Sequence, residues 1–275
     1  MTTDAIVPLS WYKRLSVRSL LAKSLWDRRT MTLLIGIGIG LMALLVTGMF
    51  PSLEEALVDF DMGQGVTDLL GGASLATPEG WLSAEVWSIV APFGIVALVM
   101  IDGARSIASE EEERSIGLLA ANPIGRIRIL RDKSIALVVH ALIAASLIGL
   151  FSWVSILIIG LDMDASKMWA ATLHLAMLGF MFAGTTALVS TIVGKRTHAI
   201  LIVFGIAGVA YILAAMLPLF EGAADWAKIS PWFYYWGDNP LVGGVNWGYI
   251  GIMAAITAAL FVAAGYLFTK RDLPG

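Results

Sequence analysis

Six stretches of this chain are apolar for long enough to cross a bilayer, and the stretches between them are not. A crossing takes about 20 mostly apolar residues to match a hydrocarbon core of about 30 Å. Residues 31–50, 84–101, 134–160, 168–193, 199–220 and 247–269 meet that requirement. None shows the alternation of a barrel strand. The pattern predicts an all-α membrane protein with six transmembrane helices. Residues 1–30 are expected to be a cytoplasmic tail with an interfacial elbow helix, and residues 31–275 the six-span domain. The outer loops would fall at about 51–83 and 221–246.

Charge placement orients the spans, because Lys and Arg accumulate on the cytoplasmic side. Lys13, Arg14, Arg18, Lys23, Arg28 and Arg29 precede the first span. Arg105, Arg114, Arg126, Arg128, Arg131 and Lys133 lie between the second and third, Lys195 and Arg196 between the fourth and fifth, and Lys270 and Arg271 after the sixth. Only Lys167 and Lys228 of the 18 basic residues fall on the other side. A miscounted span would break this alternation downstream, so both termini are expected inside a multi-pass plasma-membrane protein. The first outer loop is acidic, with Glu54, Glu55, Asp59, Asp61, Asp68 and Glu79. A cation-attracting vestibule and a merely acidic face both fit.

Composition agrees with lipid as the solvent. Hydrophobic residues make up 58% and charged residues 14%, against about 25% charged in soluble domains, and mean hydropathy is +0.82. Without cysteine there are no thiolate nucleophiles or thiolate metal sites. The first apolar run begins only at Met31 and is too long for the core of a cleaved signal peptide.

Residues 10–29 read as a basic amphipathic segment, with Trp11, Leu15, Leu21 and Leu25 among the cations. Such a helix lies at the headgroups. Thr77-Pro78-Glu79 predicts a helix start, with Thr as N-cap and Pro at the first position, within a small helical cap over the outer face. Trp232 to Trp236 is a run of five aromatics, expected as an interfacial belt, with Trp232, Tyr235 and Trp236 as an alternative outer gate. Gly36 and Gly40, and Gly205 and Gly208, offer close-packing faces, inside one bundle or across a dimer seam. Pro92 predicts a kink in the second span. His140 and His174 are expected as neutral, hydrogen-bonded residues near span ends. No span interior carries Asp, Glu, Lys or Arg, which argues against an ion-coupled carrier.

The loop after the second span reads DGARSIASEEEERSIGLLAANPIGRIRILRDK. Ser109 with Glu112 forms a capping box, and Glu110, Glu111, Glu112 and Glu113 would fill the first turn of a helix, where the dipole favours them. Ile116, Leu119 and Ala120 share a face, and Pro123 ends the element. A helix this short needs a partner, either the end of its own bundle or a soluble subunit.

This loop resembles the region after the second span of type-2 ABC transporter permeases. That family has an acidic run, a small residue, a Leu pair, then Pro and a following Arg. The matching positions here are Glu110 to Glu113, Ser115, Gly117, Leu118, Leu119, Pro123 and Arg126. The resemblance extends to the basic segment before the first span, FPSLEE, TPEGWL and SPWFYYWGDNPL. Where Ser115-Ile116 stands the family commonly has Gly-Thr, and often Ser where Gly125 stands.

The resemblance implies a permease subunit of an ATP-driven transporter, an exporter paired with a second copy or another permease through its first and fifth spans. Residues 109–123 would be its coupling helix, with Glu110–Glu113, Arg114, Ile116, Gly117, Leu118, Leu119, Pro123 and Arg126 meeting a separate ATPase subunit that holds ATP and Mg. The chain itself would hold no cofactor and meet lipid, not nucleic acid. It has no G-x-x-x-x-G-K-[ST] motif, so catalysis is expected in the partner. A sensor or resistance subunit without net transport shares all these features. An intramembrane enzyme lacks its motifs, and a channel lacks a charged ring or filter loop. The apolar midplane favours an amphipathic or apolar cargo.

Overall fold

A computed structural model of the chain describes residues 20–58, 73–112, 126–220 and 222–270. It is all-helical, with no strand among the described residues. Six helices are long and apolar enough to cross a membrane. The elements are α1 (Leu20–Val58), α2 (Pro78–Leu82), a π-helical turn (Ser83–Trp87), α3 (Val90–Glu112), α4 (Arg126–Ile159), α5 (Ala165–Val193) and α6 (Arg196–Met216). Two 3₁₀ turns follow, Leu217–Leu219 and Ala224–Ile229, then α7 (Pro231–Trp236), α8 (Pro240–Gly243) and α9 (Trp247–Lys270). Because the spans number six, α1 starts and α9 finishes at the same end, called here the basic end.

Several helices run past the apolar stretches that announced them. α1 has 39 residues, a length of about 58 Å against a core of about 30 Å. The described part of the expected elbow, residues 20–29, is the unbroken start of α1; residues 10–19 lie outside the described residues. At its other end α1 continues through Pro51 to Val58, so the outer loop starts later than expected. Pro51 removes only the bond to the carbonyl four residues back.

The start at Thr77 is as read. Thr77 Oγ1 accepts from the Gly80 N–H at 3.2 Å, and Pro78 takes the first position. The short α2 is not a separate cap, since it leads directly into the π turn and the second span, and Trp81 Nε1 donates to the Val46 carbonyl of α1 at 2.8 Å. The break expected at Pro92 sits one turn earlier, at Ser88–Ile89. Pro92 has no N–H for the carbonyls four or five residues before it, so the regular ladder fails there.

α5 is the hub, packing against α3, α4, α6 and α9, while α1 packs chiefly on α4. Its buried residues are mostly small, among them Ala170, Ala171, Gly179, Ala183, Gly184 and Ala187. Helices in lipid gain little from hiding apolar surface, so close approach through small residues supplies the contact. Four of its threonine hydroxyls are served by the helix itself: Thr172, Thr185, Thr186 and Thr191 donate to the carbonyls of Met168, Met181, Phe182 and Ala187. Gly194, at φ 64°, closes α5 in the left-handed conformation.

Gly36 and Gly40 face α4 within the same chain. A β-carbon on Gly36 would come within 2.9 Å of Leu147, and one on Gly40 within 2.7 Å of Phe151 Cβ. Gly38, on the same helix, faces nothing within 4 Å. Gly40→Ala should therefore destabilise by about 1–3 kcal/mol, the usual range for overpacking, and lower the thermal midpoint in detergent. Gly38→Ala should leave it unchanged.

Candidate functional site

Two polar arrangements stand out, one at each end of the bundle. At the basic end, α1, α3 and α4 meet around charged groups. Asp102, on α3, is 3% exposed, and its carboxylate lies 3.5 Å from Arg28 Nη1 of α1. The same Nη1 donates to the Asp102 carbonyl. One guanidinium thus ties the start of the first span to the second. One helical turn further into α1, Thr32 Oγ1 shares a 2.6 Å hydrogen bond with His140 Nδ1 of α4 and donates to the Arg28 carbonyl at 3.3 Å. Asp132 and Lys133 of α4 are also buried, and Arg131 donates to Asp132 at 2.9 Å. The sequence pattern places Arg28 among interfacial cations and Asp102 in a loop, and the structure instead pairs them. The available signal was an Asp placed directly after an apolar run, where a charge inside protein needs a partner.

At the opposite end, the aromatic run folds inward. Trp232, Tyr235 and Trp236 are all buried, so they are not an interfacial belt. Ser230 caps α7, accepting from the Trp232 N–H at 3.1 Å and donating to the Ala210 carbonyl at 2.6 Å. That turns the Trp232 ring into a cluster with Phe93, Phe182 and Tyr211 at centroid distances of 5.2 to 5.9 Å, a spacing typical of favourable aromatic pairs. Exposed aromatics at this end include Trp169, Phe220, Trp226 and Trp247.

Tyr235 closes the break in the second span. Its hydroxyl donates to the Trp87 carbonyl at 2.6 Å, an acceptor that Pro92 cannot serve. Burial raises its pKa well above the ordinary tyrosine value, which keeps it a donor. Asn239, at φ 35°, donates from Nδ2 to Ser83 Oγ of the π turn at 3.1 Å and accepts from the Leu241 N–H. The indole N–H groups of Trp87, Trp232 and Trp236 have no hydrogen-bond partner among the described residues. The aromatic plug therefore grips the distorted start of the second span, while the Arg28–Asp102 pair grips its far end.

The remaining sequence-predicted residues divide as follows. Ser109, Glu110, Glu111 and Glu112 are helical and continue α3, so no new helix starts at Ser109. No proline intervenes between Ile101 and Ser109, and the span helix continues through Gly103. Arg126 is the first residue of α4. Glu113, Arg114, Ile116, Gly117, Leu118, Leu119 and Pro123 lie outside the described residues. Gly205 and Gly208 face nothing within 4 Å. His174, expected near a span end, is buried in α5 with its Nδ1 3.0 Å from the Ala170 carbonyl.

The described residues form an all-helical domain with six helices long and apolar enough to span a membrane, the class of a multi-pass membrane protein. The chain belongs to the ABC-2 family of transporter proteins, whose family model matches residues 19–273 and so covers every span. Members of this family are membrane subunits of ABC transporters. A comparison with curated proteins gives no match.

Removing the carboxylate of Asp102 strands the Arg28 cation against buried surface. Asp102→Ala should cost about 3 kcal/mol, and Arg28→Met combined with Asp102→Leu should recover most of it, as read by thermal unfolding. Tyr235→Phe should cost about 1–2 kcal/mol by leaving the Trp87 carbonyl unserved.

Proposed function

We propose that this chain is the permease half of an ATP-driven exporter, working as a dimer with separate ATPase subunits that hold ATP and Mg. Residues 109–123 would be the segment on which the ATPase pushes. One observation carries the reading: α3 runs unbroken from Val90 to Glu112. A displacement at residues 109–112 therefore travels along one rigid helix to the break at Ser88–Ile89. There it meets the Tyr235 contact and the aromatic plug, the part of the opposite end best placed to yield. Glu110 to Glu113 and Arg114 would set the polar contacts with the ATPase, Ile116, Gly117, Leu118 and Leu119 the apolar one. Pro123 and Arg126 would set the return into α4.

The open glycines support the dimer. Gly205 and Gly208 lie on the lipid-facing side of α6, beside exposed Leu201, Phe204, Val209 and Ile212. A second helix could approach there as closely as small residues permit. Gly36 and Gly40 are already used within the chain and drop out of the proposed seam. Both termini are placed in the cytoplasm by the basic flanks. An amphipathic or apolar cargo suits spans whose buried charges, among the described residues, sit only near the basic end.

Leu119→Asp tests the coupling role. The reconstituted complex should lose transport by about tenfold or more, equivalent to about 1.4 kcal/mol of lost docking, while the variant inserts normally and keeps its thermal midpoint. Undiminished transport with coupled ATP hydrolysis would contradict it. Trp236→Ala should alter cargo selectivity if the plug is the outer gate; unchanged selectivity would leave Trp236 a packing residue.

A further inference from the structure

A pocket of about 390 Å³ opens between the three helices at the basic end, lined by Leu20, Lys23, Ser24, Asp27, Arg28, Arg105 and Lys133. By volume it has room for about a dozen waters. Four of the lining side chains are cations and one is a carboxylate. Of the other carboxylates, Asp132 pairs with Arg131, and Asp102 pairs with Arg28 and offsets part of that one cation's charge, which still leaves the lining cations in excess. The cations come from different helices: Lys23 and Arg28 from α1, Arg105 from α3, and Lys133, 4% exposed, from α4. Lys and Arg only donate hydrogen bonds, and an ionised phosphate group near neutral pH largely accepts them. The pocket therefore has the charge, donor set and depth for a phosphate-bearing anion.

Its position says where that anion comes from. Trp26 lies on α1 one turn from Lys23 and is 43% exposed, with the Arg29 guanidinium 3.5 Å over its ring. Exposed Trp and snorkelling Arg mark the membrane–water boundary, so the pocket sits at headgroup depth. Basic pockets between spans at that depth suit anionic lipid headgroups.

We propose that this pocket binds the phosphate headgroup of an anionic membrane lipid, held by Lys23, Arg28, Arg105 and Lys133. Arg28 is already fixed by its two contacts with Asp102, so little side-chain freedom is lost on binding. A headgroup there bridges α1 to the ends of α3 and α4 that frame residues 113–125. If those residues couple to an ATPase, as proposed above, occupancy stiffens the lever, but binding itself does not depend on that reading.

The test uses the purified full chain in neutral detergent, without ATPase or cargo. Native mass spectrometry and thermal unfolding are run with phosphatidylglycerol, with phosphatidylcholine, and with inorganic phosphate. Phosphatidylglycerol should be retained at least about tenfold more tightly than phosphatidylcholine and should raise the thermal midpoint. Lys23→Gln with Arg105→Gln should weaken that retention by about tenfold, in keeping with two lost cations. Asp27→Asn removes the pocket's carboxylate and should tighten it by about threefold, a gain that misfolding cannot mimic. Equal retention of the two lipids, or retention unmoved by either variant, would overturn the proposal. So would inorganic phosphate reproducing the shift and displacing the lipid, which would assign the pocket to a soluble anion.

Discussion

Helices surrounded by lipid cannot gain stability by hiding apolar surface from water, so this bundle depends on how closely its helices can approach. The constraint falls on α5, which touches four other spans and has alanine, glycine and back-bonded threonine at most of its contacts. A β-carbon on Gly179 would meet Ile95 of α3 at 2.6 Å, and one on Gly184 would meet Leu260 of α9 at 3.0 Å. Larger residues at these points would push the neighbouring spans outward. The polar arrangements at the two ends hold the second span only because the hub sets where it stands.

With that spacing fixed, the second span is restrained at both ends by contacts of different character. The Arg28–Asp102 pair joins a part-exposed guanidinium to a buried carboxylate and is costly to break one-sidedly. The Tyr235–Trp87 hydrogen bond and the ring cluster around Trp232 are neutral, and each is worth only a kcal/mol or so. A force on α3 would therefore yield first among the aromatics. The helix is also irregular just there, at a π turn of the kind often found where helices do functional work.

The number and order of spans were legible because composition alone marks what lipid will accept. Helix ends were not, because an apolar run shows where the hydrocarbon is and not where the backbone stops being helical. Residues 20–29 and 102–112 contain good helix formers and no proline, so α1 and α3 continue past their apolar stretches. The helix start at Thr77 was readable because an N-cap is local chemistry. Ser109 and Glu112 carry the same local signature, yet a capping box needs a non-helical residue at its head, and here the preceding turn is already helical. The aromatic run 232–236 has the composition of a belt or of a core, and only the cap at Ser230 and the rings awaiting it on α3, α5 and α6 decide between them. Arg28 and Asp102 are 74 residues apart, and no local pattern could pair them.

On the function proposed above, an ATPase subunit acts on this membrane domain through residues 109–123, between its second and third spans. The most direct measurement is co-purification with the ATPase encoded nearest this chain, once with residues 109–123 intact and once with them replaced by a Gly-Ser segment of equal length. The account predicts a complex with equal copies of the two subunits for the intact chain and none for the replacement, with membrane insertion unchanged. An ATPase that fails to bind the intact chain, or binds both forms equally, would contradict it.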